Sequence, residues 1–262
     1  MKNTLLSLVF LLTIINCSTD GMQGLSKETE LNYINKILAT GTTSSTGLVA
    51  PPGMQFSEIK PSLNYGMNCF YLNFQENARF SISDDFIIPQ NEIWNINTIS
   101  FFIINPDPVS TNFPVKNIAI EIYDGNPELA SSKKLYGDLD TNLFKSATPT
   151  NTYRITNETT SVSDATNSSL IYQVETALPG SLNLKGGHYW YKMTSKFNYG
   201  EDWSCYIPRL PAAGNYTTTF NAYFKNIKTG DLFKTDNGLY DGSTTPVNYE
   251  TPFQIKGTKT IF

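Results

Sequence analysis

Apolar and polar residues alternate along much of the chain, most cleanly between residues 84 and 124. From Ile93 to Ile104 β-branched and aromatic residues interleave with polar ones, and from Val115 to Tyr123 the side chains of Ile118, Ile120 and Ile122 fall on one face. This period of two predicts a pair of long strands, joined by a proline-punctuated loop and placed in the middle of a sheet. Further strands are expected at Cys69–Phe74, Phe80–Ile82, Leu170–Val174, Tyr216–Phe224, Pro252–Ile255 and Thr258–Phe262. Leu182 and Leu184 precede a Gly186-Gly187 turn that feeds an aromatic strand from His188 to Met193, and the Thr-, Ser- and Asn-rich stretch from Ser146 to Ser169 reads as a long loop or weak hairpin. About eight to ten strands at this spacing predict an all-β fold, a β-sandwich of jelly-roll type.

One stretch departs from that period. Between Ser26 and Ala39 the apolar residues Leu31, Ile34, Ile37 and Leu38 recur at helical spacing, with Ser26 placed to cap the first turn, Glu28 and Glu30 suited to it, and Gly41 to close the end. A short N-terminal helix is expected there. The Gly-, Thr-, Ser- and Pro-rich run from Thr40 to Gly53 reads as a flexible spacer, so the β-sandwich domain is expected to occupy 54–262.

Composition narrows the classes of function. Forty per cent of residues are hydrophobic, with 16 Phe and 15 Tyr, and only 16 per cent are charged, against about 25 per cent in ordinary soluble domains. The surface must then be built from neutral polar residues. A net charge of -4 and a pI near 5.1 leave no basic footprint for nucleic acid.

The first residues carry a cellular address. Lys2 followed by an apolar run from Leu5 to Ile15 has the length of a signal peptide, occupying 1–16, and is too short to span a bilayer. Ile14-Ile15-Asn16-Cys17 resembles the lipobox of bacterial lipoproteins, which implies that Cys17 is acylated and that 17–53 form a lipidated tether carrying the short helix. An acylated chain would reside in the bacterial cell envelope, held to the membrane by its lipid. Whether it faces the periplasm or the outside is left open by the residues after Cys17. Cys69 and Cys205 remain as an even pair, readable as a disulfide or as two buried thiols. They lie 136 positions apart, so a bridge would contribute about 4 to 5 kcal/mol in the loop-entropy description.

Four fragments point to a family. Asp84-Asp85-Phe86 with Pro89 and Trp94-Asn95-Ile96, then Ile122-Tyr123-Asp124 with Gly125 and Pro127, then Leu184-Lys185-Gly186-Gly187-His188-Tyr189-Trp190, and last Pro252-Phe253-Gln254-Ile255-Lys256-Gly257 follow in order. Over roughly residues 80 to 258 the chain resembles a β-sandwich module of secreted and surface proteins of bacteria. The resemblance implies a fold and brings no catalytic residues with it. His188 stands where that module more often has Thr, which implies an exposed strand position.

The residue inventory argues against most enzymes. His188 is the single histidine, so a zinc site with two histidines is excluded, and neither a Gly-x-Ser-x-Gly elbow nor a phosphate-binding loop occurs. A glycoside hydrolase with two carboxylates leaves no local signature and stays open. Calcium is the one cofactor considered: Asp138, Asp140 and Asn142 alternate like the opening of a calcium loop, yet the sixth position lacks Gly and the twelfth is Pro149. Asp84 with Asp85, and Asp236, Asn237 and Asp241, offer further oxygens, but turn formation is the preferred account of each group. The aromatic loop Tyr199-Gly200-Glu201-Asp202-Trp203-Ser204-Cys205-Tyr206 suits glycan or peptide recognition, with Tyr199, Trp203 and Tyr206 as stacking rings and Glu201 and Asp202 as hydroxyl partners. Core capping explains the same rings. The expected function is therefore a non-catalytic binding or adhesion module, with a structural subunit of an envelope assembly and a carboxylate-dependent hydrolase as the other readings.

Overall fold

The computed structural model describes residues 26–44, 46–58, 67–71, 79–104, 113, 115–155, 170–197, 206–207, 221–234 and 250–262. Among these, thirteen strands and no helix occur: β1 (Lys27–Asn35), β2 (Gln55–Glu58), β3 (Met67–Asn68), β4 (Phe70–Tyr71), β5 (Phe80–Ile104), β6 (Val115–Tyr123), β7 (Lys134–Asp138), β8 (Phe144–Ile155), β9 (Leu170–Phe197), β10 (Tyr206–Ile207), β11 (Tyr223–Asn226), β12 (Leu232–Lys234) and β13 (Phe253–Ile261). They join one sheet with the order β1-β13-β5-β9-β6-β7. Pairing is antiparallel except where β2 meets β8 and β4 meets β9. No helix among the described residues is long and apolar enough to cross a membrane.

The two strands expected at the centre are not neighbours. β9 lies between β5 and β6, pairing with β5 from Ile82 to Ile104 and with β6 from Val115 to Tyr123. β5 and β9, of 25 and 28 residues, would each reach about 80 Å or more if straight. A domain of this length has a radius of gyration of about 18 Å, so the strands must bend, and two register breaks supply the bends. At the first, Pro89 to Glu92 bulge from β5 opposite Gly186; at the second, Leu178 to Ser181 bulge from β9 beside Asn97, with Gly180 and Ser181 at positive φ. Both halves of β5 then feed one core, in which Ile82, Phe86 and Ile88 lie with Ile96, Ile99, Phe101 and Ile103.

Gly186 is accordingly not a turn residue. A Cβ there would come within 2.4 Å of Gln90 Cα, so the glycine lets the β5 bulge approach β9, and the expected strands on either side are one strand. Gly257 does the same at the irregularity in β13, where a Cβ would meet Asn95 O at 1.9 Å. The expected loop from Ser146 is strand as far as Ile155, hydrogen-bonded to β9 and β2.

The expected N-terminal helix is also a strand. All nine residues of β1 pair with β13, from Lys27 with Ile261 to Asn35 with Phe253. Leu31 is buried in the core while Ile34 and Ile37, assigned by helical spacing to the same face, are 55% and 79% exposed. An isolated helix of this length is marginal in water, whereas the strand completes a nine-residue ladder and buries Leu31, so tertiary pairing overrides the local pattern. Nor is the expected spacer unpaired: Thr40 N donates to Phe56 O at 2.7 Å and Phe56 N to Gly41 O at 2.8 Å, folding it back on β2.

Candidate functional site

Two polar constellations emerge from these strands, one inside the fold and one on an open face. The inner one begins with alternation in β5. Ile82, Asp84, Phe86 and Ile88 share the inward face, so Asp84 is a carboxylate set in an apolar row, opposite Tyr191 of β9. It is 0% exposed. Its Oδ2 accepts from Thr251 N at 2.8 Å and Thr251 Oγ1 at 2.6 Å, and its Oδ1 accepts from Asp85 N at 2.9 Å. The Thr251 hydroxyl also meets Tyr191 Oη at 2.5 Å.

Glu250, 4% exposed, enters beside it from the segment just before β13. Its Oε1 accepts from Asn221 N at 3.1 Å and its Oε2 from Asn35 Nδ2 at 3.5 Å, while that same amide donates to Thr251 O at 3.0 Å. Asp85, on the other side of β5, accepts from Asn221 Nδ2 at 2.7 Å and pairs with His188 Nε2 at 2.5 Å. The cluster thus ties the end of β1, the first part of β5, the approach to β11 and the approach to β13 into one knot. Burial, and then the charge of Glu250, push the Asp84 carboxyl well above the usual carboxylate range; burial likewise raises Glu250 against the opposing bond from Asn221. Burial raises the Tyr33 phenol to about 12, and burial pushes the Tyr191 phenol well above its usual range, so both stay neutral.

One oxygen from each of Asp84, Asp85 and Glu250 lies within 4.8 Å of the others. They are the carboxylates that converge among the described residues. Asp138, Asp140 and Asn142 instead serve a turn. Asp138 accepts from Asp140 N, Thr141 N and Thr141 Oγ1, bonds that hold its carboxyl below the usual range; Asp140 pairs with Arg79 at 3.0 Å; Asn142 bonds Ile118 N, Phe144 N and Lys116 O.

The outer constellation lies on the opposite face of β1 and β13. Gln254 Nε2 donates to Asn32 Oδ1 at 2.7 Å, and Gln173 Nε2 donates to Gln254 Oε1 at 2.7 Å, so three amides run diagonally over β1, β13, β5 and β9. Register places Ile34, Ser100, Glu175 and Ser146 in line with Gln254, and the half-buried ring of Phe102 beside Gln173. Glu175 is ion-paired with Lys145. The row is amide-rich, with Lys256 opposite Asn32, Ser100 buried beneath it and one partly open ring.

Of the residues singled out in the sequence, Tyr199, Glu201, Asp202 and Trp203, Cys17, and Asp236, Asn237 and Asp241 lie outside the described residues. Tyr206 opens β10, opposite Asn68 and Ile104. Cys69 is disulfide-bonded, and the chain's other cysteines, Cys17 and Cys205, both lie outside the described residues. His188 is an exposed strand residue. Sequence reasoning missed Glu250, Asn221, Asn35 and the amide row. The one local signal was an Asp at an inward position of an apolar alternation. No protein-family model matches the chain, and no curated protein and no solved structure matches it either.

Proposed function

We propose that this is an exported, lipid-anchored, non-catalytic binding or adhesion module of the bacterial cell envelope, built as a jelly-roll-like β-sandwich and recognising a neutral, hydroxyl-rich ligand such as a glycan. The observation that carries the reading is the amide row of Asn32, Gln254 and Gln173 on the open face of the sheet. Amides offer donors and acceptors in the alternation that sugar hydroxyls require, and the partly open Phe102 supplies a surface against which a sugar ring can lie. Recognition sites of this kind need a stiff support, and the long paired strands beneath provide it. The neutral surface chemistry and the lipobox-like Cys17 agree with such a role. So does the burial of Asp84 and Glu250, whose oxygens lie close together inside the fold, bonded to neighbouring strands. The two bends in β5 and β9, which bring both halves of each strand onto one core, favour a sandwich.

The test is a glycan array probed with the full chain carrying Cys17→Ala, so that it stays soluble and keeps β1. Binding that Gln254→Ala or Gln173→Ala weakens places the ligand on the open face, whereas binding lost only in Trp203→Ala places it on the aromatic loop. An array without signal, together with a stable partner recovered from envelope extracts, would replace the reading with that of a structural subunit.

A further inference from the structure

We propose that Asp84 and Glu250 hold one shared proton in the folded protein at neutral pH, and that this proton fastens β13 to β5, so that the junction tightens on acidification and loosens as pH rises. This does not depend on what the open face binds. The ground is geometric. Among the described residues the groups that bond the Asp84 carboxylate are Thr251 N, Thr251 Oγ1 and Asp85 N, all of them neutral. Asp85 and Glu250 bring further oxygens within 4.8 Å. Carboxyl groups this close, two of them removed from water, cannot all carry charge at modest cost, and a proton on one of them removes the repulsion.

The surrounding groups leave that balance in place. From β1 come Tyr33, a neutral phenol, and Lys36 just past its end, whose charge favours an ionised Glu250. From β9 come Tyr191, also neutral, and His188, which meets Asp85 on the solvent side. Lys36 acts against the proton on Glu250 and is outweighed by burial. The hydrogen bonds accommodate either state without moving a heavy atom. With Asp84 ionised, Tyr191 donates to the Thr251 hydroxyl, which donates to Asp84; with Asp84 protonated, the same two bonds reverse.

The linkage has a definite sign. A carboxyl that keeps its proton in the folded state and loses it in the unfolded state adds stability below the ordinary carboxylate range. That contribution is lost progressively as pH rises through the folded value, by up to about tenfold in the folding constant per pH unit. Infrared spectroscopy of the full chain at pH 7 should therefore show the carbonyl band of a protonated, buried carboxyl that disappears in Asp84→Asn. Chemical denaturation between pH 5 and 8 should show a folding constant that falls with pH, with the slope reduced in Glu250→Gln, whose carbonyl can still accept from Asn221. Running both proteins with His188→Gln as well removes the Asp85–His188 pair from the comparison. Absence of the band at pH 7, or a slope unchanged in Glu250→Gln, would overturn the proposal. So would loss of the band with a rise in melting temperature on adding calcium at about 1 mM, the range of extracellular modules, which would make the cluster a cation site instead.

Discussion

The acid cluster and the amide row sit on opposite faces of the same strands and show what burial does to polar chemistry. Asn35 and Thr251 follow the inward parity of Leu31 and Phe253, while Asn32 and Gln254, one position away on each strand, point outward. Inside, each donor has a fixed acceptor, and losing one leaves its partner stranded in an apolar core. Outside, water replaces whatever is removed, so the same amides contribute little to stability and are available to a ligand. Glu92 offers an intermediate case: partial burial opposes its charge, but Lys259 at 2.8 Å and Trp94 Nε1 at 2.6 Å prevail, and its carboxyl lies below the usual range. A carboxylate with a cation stays charged. Asp84, whose partners among the described residues are neutral donors, has its carboxyl pushed above that range instead.

Substitutions can sharpen this contrast. The largest effect is expected for Phe253→Ala, which empties a site walled by the rings of Tyr33, Phe86 and Tyr191 and opposite Phe101 in the ladder; chemical denaturation should show a loss of about 3 to 5 kcal/mol. Leu31→Ala should cost about 2 to 5 kcal/mol by the same measurement, and Ile34→Ala no more than about 0.5 kcal/mol. Equal losses at the two positions would restore the helical reading of this segment. Thr251→Val keeps the shape but removes the hydroxyl shared by Asp84 and Tyr191, and should cost about 1 to 3 kcal/mol. Gln254→Ala, next but two along the chain, should stay within about 0.5 kcal/mol of the parent while weakening glycan binding about fivefold to tenfold, equivalent to roughly 1 to 1.4 kcal/mol. A large stability loss in Gln254→Ala would erase the distinction between the two faces.

The all-β fold was legible because period-two alternation survives in β5, β6 and β13. The lengths of β5 and β9 were not, since Pro89 and the Gly186-Gly187 pair carry turn chemistry and are used here at a bulge, where a missing N–H and a missing Cβ are both assets. β1 was misread because Leu31, Ile34 and Ile37 fit a helix locally, and its partner β13 lies more than two hundred residues away. The acid cluster was half legible: Asp84 and Asp85 stood out, but Glu250, Asn221 and Asn35 are brought to them by strand order alone. The amide row left no signal at all, because Asn and Gln on a solvent face follow no pattern that spacing can detect.

The pairing of β1 with β13 also bears on mechanics. If Cys17 is held in a membrane, a pull on a bound domain reaches the described part of the sheet at Lys27, the first residue of a nine-residue ladder. Tension along the strand would load those backbone bonds together, in shear, and tension across it would peel them singly. An anchored module of this design would resist drag along one axis and yield readily along another.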